Sequence, residues 1–304
     1  TSGTINASSI NTLTGAAANL NTAYTSAGIS GLNNEAVTLN DTTLAVSVLN
    51  DLDGNTSGAI NANSINTLTG SAADLITAYD SGGITGLGNE AVNVNSGTAS
   101  TSQANALAAD TSGVVTATIS DGDMATLAGL TETSNAYAVT ITDTRVNADE
   151  LNTLNSKTTV NIDCGNITQI VGAISDIATA YTSGGFTGLG DEEIIFTFAN
   201  IQADLLNAID AANSRVINAS GVASLTGSAS DLNTAYASSG VSGLGNEPVT
   251  LTDTSLAASV LNTLDGNTSG TIDASSINTL TGTATDINTA YASNAAGGIS
   301  NLGN

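Results

Sequence analysis

The strongest constraint on this chain is that it repeats itself. The segment TSGTINASSINTLTG (1–15) returns as TSGAINANSINTLTG at 56–70 and as TSGTIDASSINTLTG at 268–282. Looser copies begin at Thr111, Thr158 and Asn213, so the starts fall at 1, 56, 111, 158, 213 and 268, evenly spaced except for one shorter step in the middle. A fixed period of this kind marks stacked like units, because a single short unit cannot bury its own apolar face and a neighbour can. Tyr24, Tyr79, Tyr181, Tyr236 and Tyr291 share one offset of the register, and the third copy has lost a segment beyond that offset.

Two sub-units alternate inside each copy: a longer one, TINASSINTLTGAAANLNTAYTSAGISGLNNEA, and a shorter one, VTLNDTTLAVSVLNDLDGNTSG. Each opens on a short β-branched stretch: Ile5, Ile60, Val115, Ile162, Ile217 and Ile272 in the long units, and alternating pairs such as Val37 with Leu39 and Val249 with Leu251 in the short ones. Alternation is strand periodicity. The spacing then changes to that of a helix, as in Leu44, Val48, Leu49 and Leu52, or Leu256, Val260, Leu261 and Leu264. Ser71-x-x-Asp74, Ser228-x-x-Asp231 and Thr283-x-x-Asp286 have capping-box spacing ahead of a second short helix that ends near the Tyr. Gly-rich turns such as SGGITGLGNE (81–90) return the chain to the next strand. The pattern predicts an α/β repeat, a parallel β/α solenoid of about eleven coils with one short strand and one or two short helices per coil. The whole of 1–304 reads as a single solenoid fragment, a rod roughly 50 Å long at ~4.8 Å per strand. It begins in mid-pattern with neither a signal peptide nor an initiator Met, as expected of a piece cut from something larger.

Composition narrows the function. Twenty-seven acidic residues stand against three basic ones, Arg145, Lys157 and Arg215, for a net charge of −24. That balance argues against nucleic acid and anionic membrane surfaces, whose phosphates require Lys and Arg. With 40% hydrophobic and 10% charged residues the chain should nevertheless fold. The absence of His and the single Cys164 exclude Ser-His-Asp and Cys-His chemistry, His-ligated metals and any intrachain disulfide. No apolar run reaches membrane-spanning length. These exclusions point away from an enzyme.

Stacking turns each repeated offset into a column of side chains. Asn6, Asn61, Asp163, Asn218 and Asp273, with Asp41, Asp143 and Asp253, could ligate cations, or could bond backbone N–H groups where strand gives way to helix. Glu35, Glu90, Glu192 and Glu247 precede strands and read as a solvated acidic stripe, two coils apart and too distant to share an ion. Asp51-x-Asp53-Gly54-Asn55, echoed by Asp265-Gly266-Asn267, resembles the opening of a Ca2+ loop, making Asp51, Asp53 and Asp265 metal candidates. A helix C-terminal turn explains the same glycines. Asn6, Asn40, Asn55, Asn166, Asn218 and Asn267 open glycosylation-type triplets in a composition that produces several by chance. Strand threonines (Thr38, Thr140, Thr142, Thr250, Thr252) suit either β-propensity or an ice-binding face. The acids outside the repeat register, Asp121, Asp123 and Glu132, are where a carbohydrate-active site with paired carboxylates would sit.

The units VTITDTRVNADELNTLNSKTT (139–159) and VTLTDTSLAASVLNTLDGNTSG (249–270), with INTLTG, LNTAY and GLGNEAV of the long units, resemble the repeats of giant cell-surface proteins of marine cyanobacteria. That family includes the repetitive surface protein associated with swimming motility in marine Synechococcus. The resemblance spans the chain and carries no catalytic residues across. It implies an extracellular, surface-displayed array with a structural, adhesive or motility role. Its partners would be neighbouring repeats, copies of the same protein end to end, or cell-surface components. The alternative is a module rigidified by Ca2+.

Overall fold

The computed structural model describes residues 3–303. The fold is the expected one: short parallel strands alternate with helices in a β/α solenoid-like repeat. The chain divides into two compact units, 1–140 with 154–162, and 141–153 with 163–304.

In the first unit the helices are α1 (Ala17–Thr25), α2 (Val46–Asn55), α3 (Ala72–Asp80), α4 (Thr101–Asp110) and the short α5 (Met124–Leu127). A five-stranded sheet joins Thr43–Ala45, Thr67–Gly70, Ala91–Val94, Val115–Thr118 and Ala136–Ala138, all parallel. Its centre is an aliphatic ladder in which Leu44 faces Leu68, Leu68 faces Val92, and Val92 faces Val115, every one buried. A four-stranded sheet, Thr12–Gly15, Ala36–Leu39, Ile60–Asn61 and Ile84–Thr85, repeats the arrangement with Val37 and Ile60.

The second unit holds α6 (Ala148–Asn155), α7 (Ile174–Thr182), α8 (Ala203–Ala212), α9 (Ala229–Ala237), α10 (Ala258–Asn267) and α11 (Ala284–Ala296). The corresponding ladder runs Ile201, Leu225, Val249, Ile272 and Ile299, again fully buried.

The strand pairing reveals a pitch that the sub-unit lengths conceal. Leu44 pairs with Leu68, Leu68 with Val92, Ile201 with Leu225, and Leu225 with Val249, each partner lying one constant step further along the chain. That step is 24 residues, and it also separates Asn50 from Asp74 and Asn207 from Asp231, which are hydrogen-bonded between neighbouring coils. Helices start 29 and 26 residues apart in turn, at Ala17, Val46, Ala72 and Thr101 and again at Ile174, Ala203, Ala229 and Ala258. Two coils make up one repeat, since Ala17 to Ala72 and Ala203 to Ala258 each span 55 residues. Each coil carries one helix and two or three short strands. Within INTLTG, Thr12–Gly15 and Thr67–Gly70 are strands, and a helix follows each.

The helices are short and bury one residue in three: Val46, Leu49 and Leu52 in α2, Ala203, Leu206 and Ile209 in α8, and Ala258, Leu261 and Leu264 in α10. Leu44 and Leu256, expected on the helical stripe, belong to the preceding strands. The small first residue has a partner one turn on. A Cβ at Gly227 would stand 3.2 Å from Ala203 Cβ, so the glycine that closes the strand gives α8 its seat. The capping residues sit where the spacing placed them: Ser71, Ser228 and Thr283 accept from the backbone N–H groups of Asp74, Asp231 and Asp286 and donate to their carboxylates.

Gly227→Val should lower unfolding stability by about 1–3 kcal/mol through overpacking against α8. Urea denaturation checks this; an unchanged midpoint would mean that the seat is not tight.

Candidate functional site

The polar columns recur along the chain, and the structure shows what most of their side chains bond. The glutamates are not a solvated stripe. Glu35, Glu90, Glu192 and Glu247 are 2%, 1%, 0% and 3% exposed, among the most buried side chains in the molecule. The turn before each strand folds the carboxylate inward, where it accepts at 2.9 Å from the N–H of Asn33, Gly88, Gly190 or Gly245, two residues earlier. The glycines at this position have φ of +130°, +143° and +145°, a backbone that favours glycine. The second partner is the repeat tyrosine at the end of the preceding helix. The hydroxyls of Tyr24, Tyr181 and Tyr236 donate to Glu35, Glu192 and Glu247 at 3.0, 2.5 and 3.2 Å, and Tyr79 donates to Glu90. A polar group on the next coil bonds the same glutamate's main chain: Thr111 Oγ1 reaches Glu90 O at 2.6 Å and Asn213 Nδ2 reaches Glu192 O at 2.9 Å. A charge pattern in sequence says nothing about which way a carboxylate turns, so the stripe reading failed. The signal that could have revealed it was the constant 11-residue step from Tyr to Glu. In the third copy Tyr137 occupies the Glu offset, is 1% exposed, and donates to Ala104 O.

The Asx column serves the backbone. Asn6, Asn61, Asp163, Asn218 and Asp273 each accept through Oδ1 from the N–H two residues on, at 3.0–3.1 Å. The Asp column does something non-local. Asp41 accepts from the N–H of Ala17 at 2.8 Å and Asp253 from that of Ala229 at 2.7 Å, capping α1 and α9 from a position 24 residues further on. Two of the acids outside the register fill similar roles. Asp121 caps Thr101 of α4 at 2.7 Å, and Asp123 caps α5 through the N–H and hydroxyl of Thr126, which hold its carboxyl below the usual range. Glu132 is exposed.

The Ca2+ candidates do not form a loop. Asp51 and Asp53 lie in the last turns of α2, and residues two apart on a helix point to different sides. Asp51 is exposed, whereas Asp53 accepts from Ser81 Oγ at 2.7 Å, as Asp210 does from Ser238 Oγ at 2.6 Å. Asp265, at the same offset, is half-buried in α10. Among the described residues no three His, Cys, Asp or Glu side chains gather as a metal site would require. Of the glycosylation-type asparagines, Asn55, Asn166 and Asn267 donate their side-chain amides to neighbouring coils. Of the strand threonines, Thr14 faces Thr38 and Thr226 faces Thr250, but the next partners are Asn61 and Asp273, so no continuous threonine ladder forms.

Helices are tied to one another by a further column that the sequence did not announce. Asn50, Asn152, Asn207 and Asn262 donate through Nδ2 to the carbonyls of Asp74, Asp176, Asp231 and Asp286 on the next helix, at 2.8–3.0 Å. Among the described residues no helix is long and apolar enough to cross a membrane. Comparison with known proteins returned no matching family model, no matching curated protein and no matching solved structure.

The tyrosines carry a pH consequence. Burial, then the hydrogen bond and the charge of the neighbouring glutamate, push the Tyr79 and Tyr181 hydroxyls far above 10.0; burial leads the rise of Tyr236 to about 12. A raised acid is neutral when folded and titrates earlier when unfolded, so its stabilisation is complete below pH 10 and is lost as pH climbs through the folded value. Urea midpoints should hold steady up to pH 10 and fall towards about 12. Tyr236→Phe should flatten part of that fall, and a flat profile for the parent chain would contradict the buried pairing.

Proposed function

We propose that the chain is a structural or adhesive repeat module of a large secreted cell-surface protein, an acidic spacer that lengthens by adding coils. The observation that supports this most is how the repeat-register polar groups are employed. Tyr79 with Glu90, Asp253 with Ala229, and Asn207 Nδ2 with Asp231 O direct their hydrogen bonds to neighbouring helices and turns. Such contacts suit a protein whose stability sums over interfaces between like units. Catalysis would need acids that the scaffold does not use, and Asp121 and Asp123 are helix caps. On this reading the chain is not an enzyme. Its partners are neighbouring repeats or further copies end to end, together with components of the cell surface. Extracellular display and a role in motility or adhesion rest on the resemblance of GLGNEAV, INTLTG and LNTAY to the cyanobacterial surface arrays.

An antibody raised against this segment should label intact cells of the source organism. Labelling that appears only after permeabilisation would overturn the assignment. Because Asp53 is bonded to Ser81 and Asp51 points elsewhere, EDTA should leave the thermal midpoint within about 1 °C; a larger drop would establish the Ca2+-rigidified alternative.

A further inference from the structure

One place in the second unit breaks the repeat's own rules twice. Ser64, Asn166 and Ser276 each donate a side-chain hydrogen bond at 2.9 Å to a strand carbonyl 25 residues earlier, on Leu39, Ile141 and Leu251. The same register gives Gly221, which has no side chain to reach Phe196 O, and a Cβ built on it would meet nothing within 4 Å. Asp41 and Asp253 cap the helix 24 residues behind them. The same register gives Phe198, whose side chain has no acceptor to offer the N–H of Ile174, the first residue of α7. All three phenylalanines of the chain, Phe186, Phe196 and Phe198, fall in this fourth copy. Phe198 is 65% exposed, more than any other large apolar side chain described.

Where the two bonds are missing there is a groove of about 320 Å3, walled on one side by Ile195, Phe196 and Phe198 and on the other by Asn218, Ser220 and Gly221. Its volume is at the small end of ligand sites. One wall is aromatic and aliphatic, the other amide, hydroxyl and backbone, and the lining includes the carboxylate of Glu193, which accepts from Gln169 Nε2 at 3.0 Å. A chain of net charge −24 repels anions, and neither wall contains a cation to hold one. These walls match a molecule with an apolar CH face and a hydroxylated edge.

We infer that this groove binds an uncharged sugar ring of a glycan, stacked on Phe198 and hydrogen-bonded to Asn218, Ser220 and the strand backbone. This goes beyond the spacer role and does not depend on it, since the groove exists because one copy departs from the repeat. Removing the ring of Phe198 should weaken binding about tenfold, which is about 1.4 kcal/mol.

The test is a titration of the isotope-labelled 304-residue chain with cellohexaose, maltohexaose and chitohexaose at millimolar concentration, followed by backbone amide shifts. At least one sugar should give saturating shifts confined to Ile195, Thr197, Phe198, Asn218 and Gly221. Phe198→Asp and Gly221→Ser restore the residues that the repeat uses elsewhere, so both variants should keep or raise the thermal midpoint while weakening binding about tenfold. The inference is overturned if none of the three sugars shifts these amides, or if both variants bind like the parent. It is equally overturned if the parent self-associates in sedimentation and Phe198→Asp abolishes that, because a second copy then fills the groove.

Discussion

The rest of the structure depends on one requirement: a parallel strand must find its neighbour a full turn later along the chain. Parallel pairing cannot close through a tight hairpin and needs a crossover of a dozen or more residues. Here the crossover is a corner, a helix of about three turns and a Gly-rich return, and it delivers Leu44 to Leu68 and Ile201 to Leu225 with the same stride. Once that stride is fixed, side chains at equal offsets lie on one another. The aliphatic ladders, the Asn bonds between helices and the Asp caps then follow as columns.

Much of this could be read from the residues. The repeat register, the α/β character, the parallel pairing and the caps at Ser71, Ser228 and Thr283 follow from periodicity and short-range chemistry. Which strands are neighbours could not be read that way, because only inter-coil pairing shows that Thr43–Ala45 and Thr67–Gly70 lie side by side. Leu44 and Leu256 were misplaced by a local ambiguity: at the junction of strand and helix an apolar residue satisfies both periods.

The polar columns divide along the same line. Asn61 and Asp273 bond the N–H two residues away, a local motif that Asx residues form in many turns. Asp41 reaches Ala17 across a turn, and Glu90 meets Tyr79 through a fold of the loop, neither of which a residue type announces. A carboxylate that receives backbone N–H groups and a phenol is a structural acceptor, and charge-assisted bonds of this kind are the stronger ones. The acidity of the chain is therefore partly an interior property. Several of its 27 acids accept from backbone N–H groups and tyrosine hydroxyls inside the fold.

The repeat and the turn are different units here, since one repeat holds two helices and so two coils. What a genome copies is the whole repeat, whereas what the backbone closes is the single turn. A whole repeat gained or lost between near-identical copies such as 1–15 and 56–70 would bring or remove both of its coils together. The shorter step between the starts at 111 and 158 brings Thr116 to Ala136 on less chain than the usual stride, and leaves Tyr137 alone to fill the place of a tyrosine and a glutamate. Such an array can drift in length by inheritance while the register of every surviving coil is preserved.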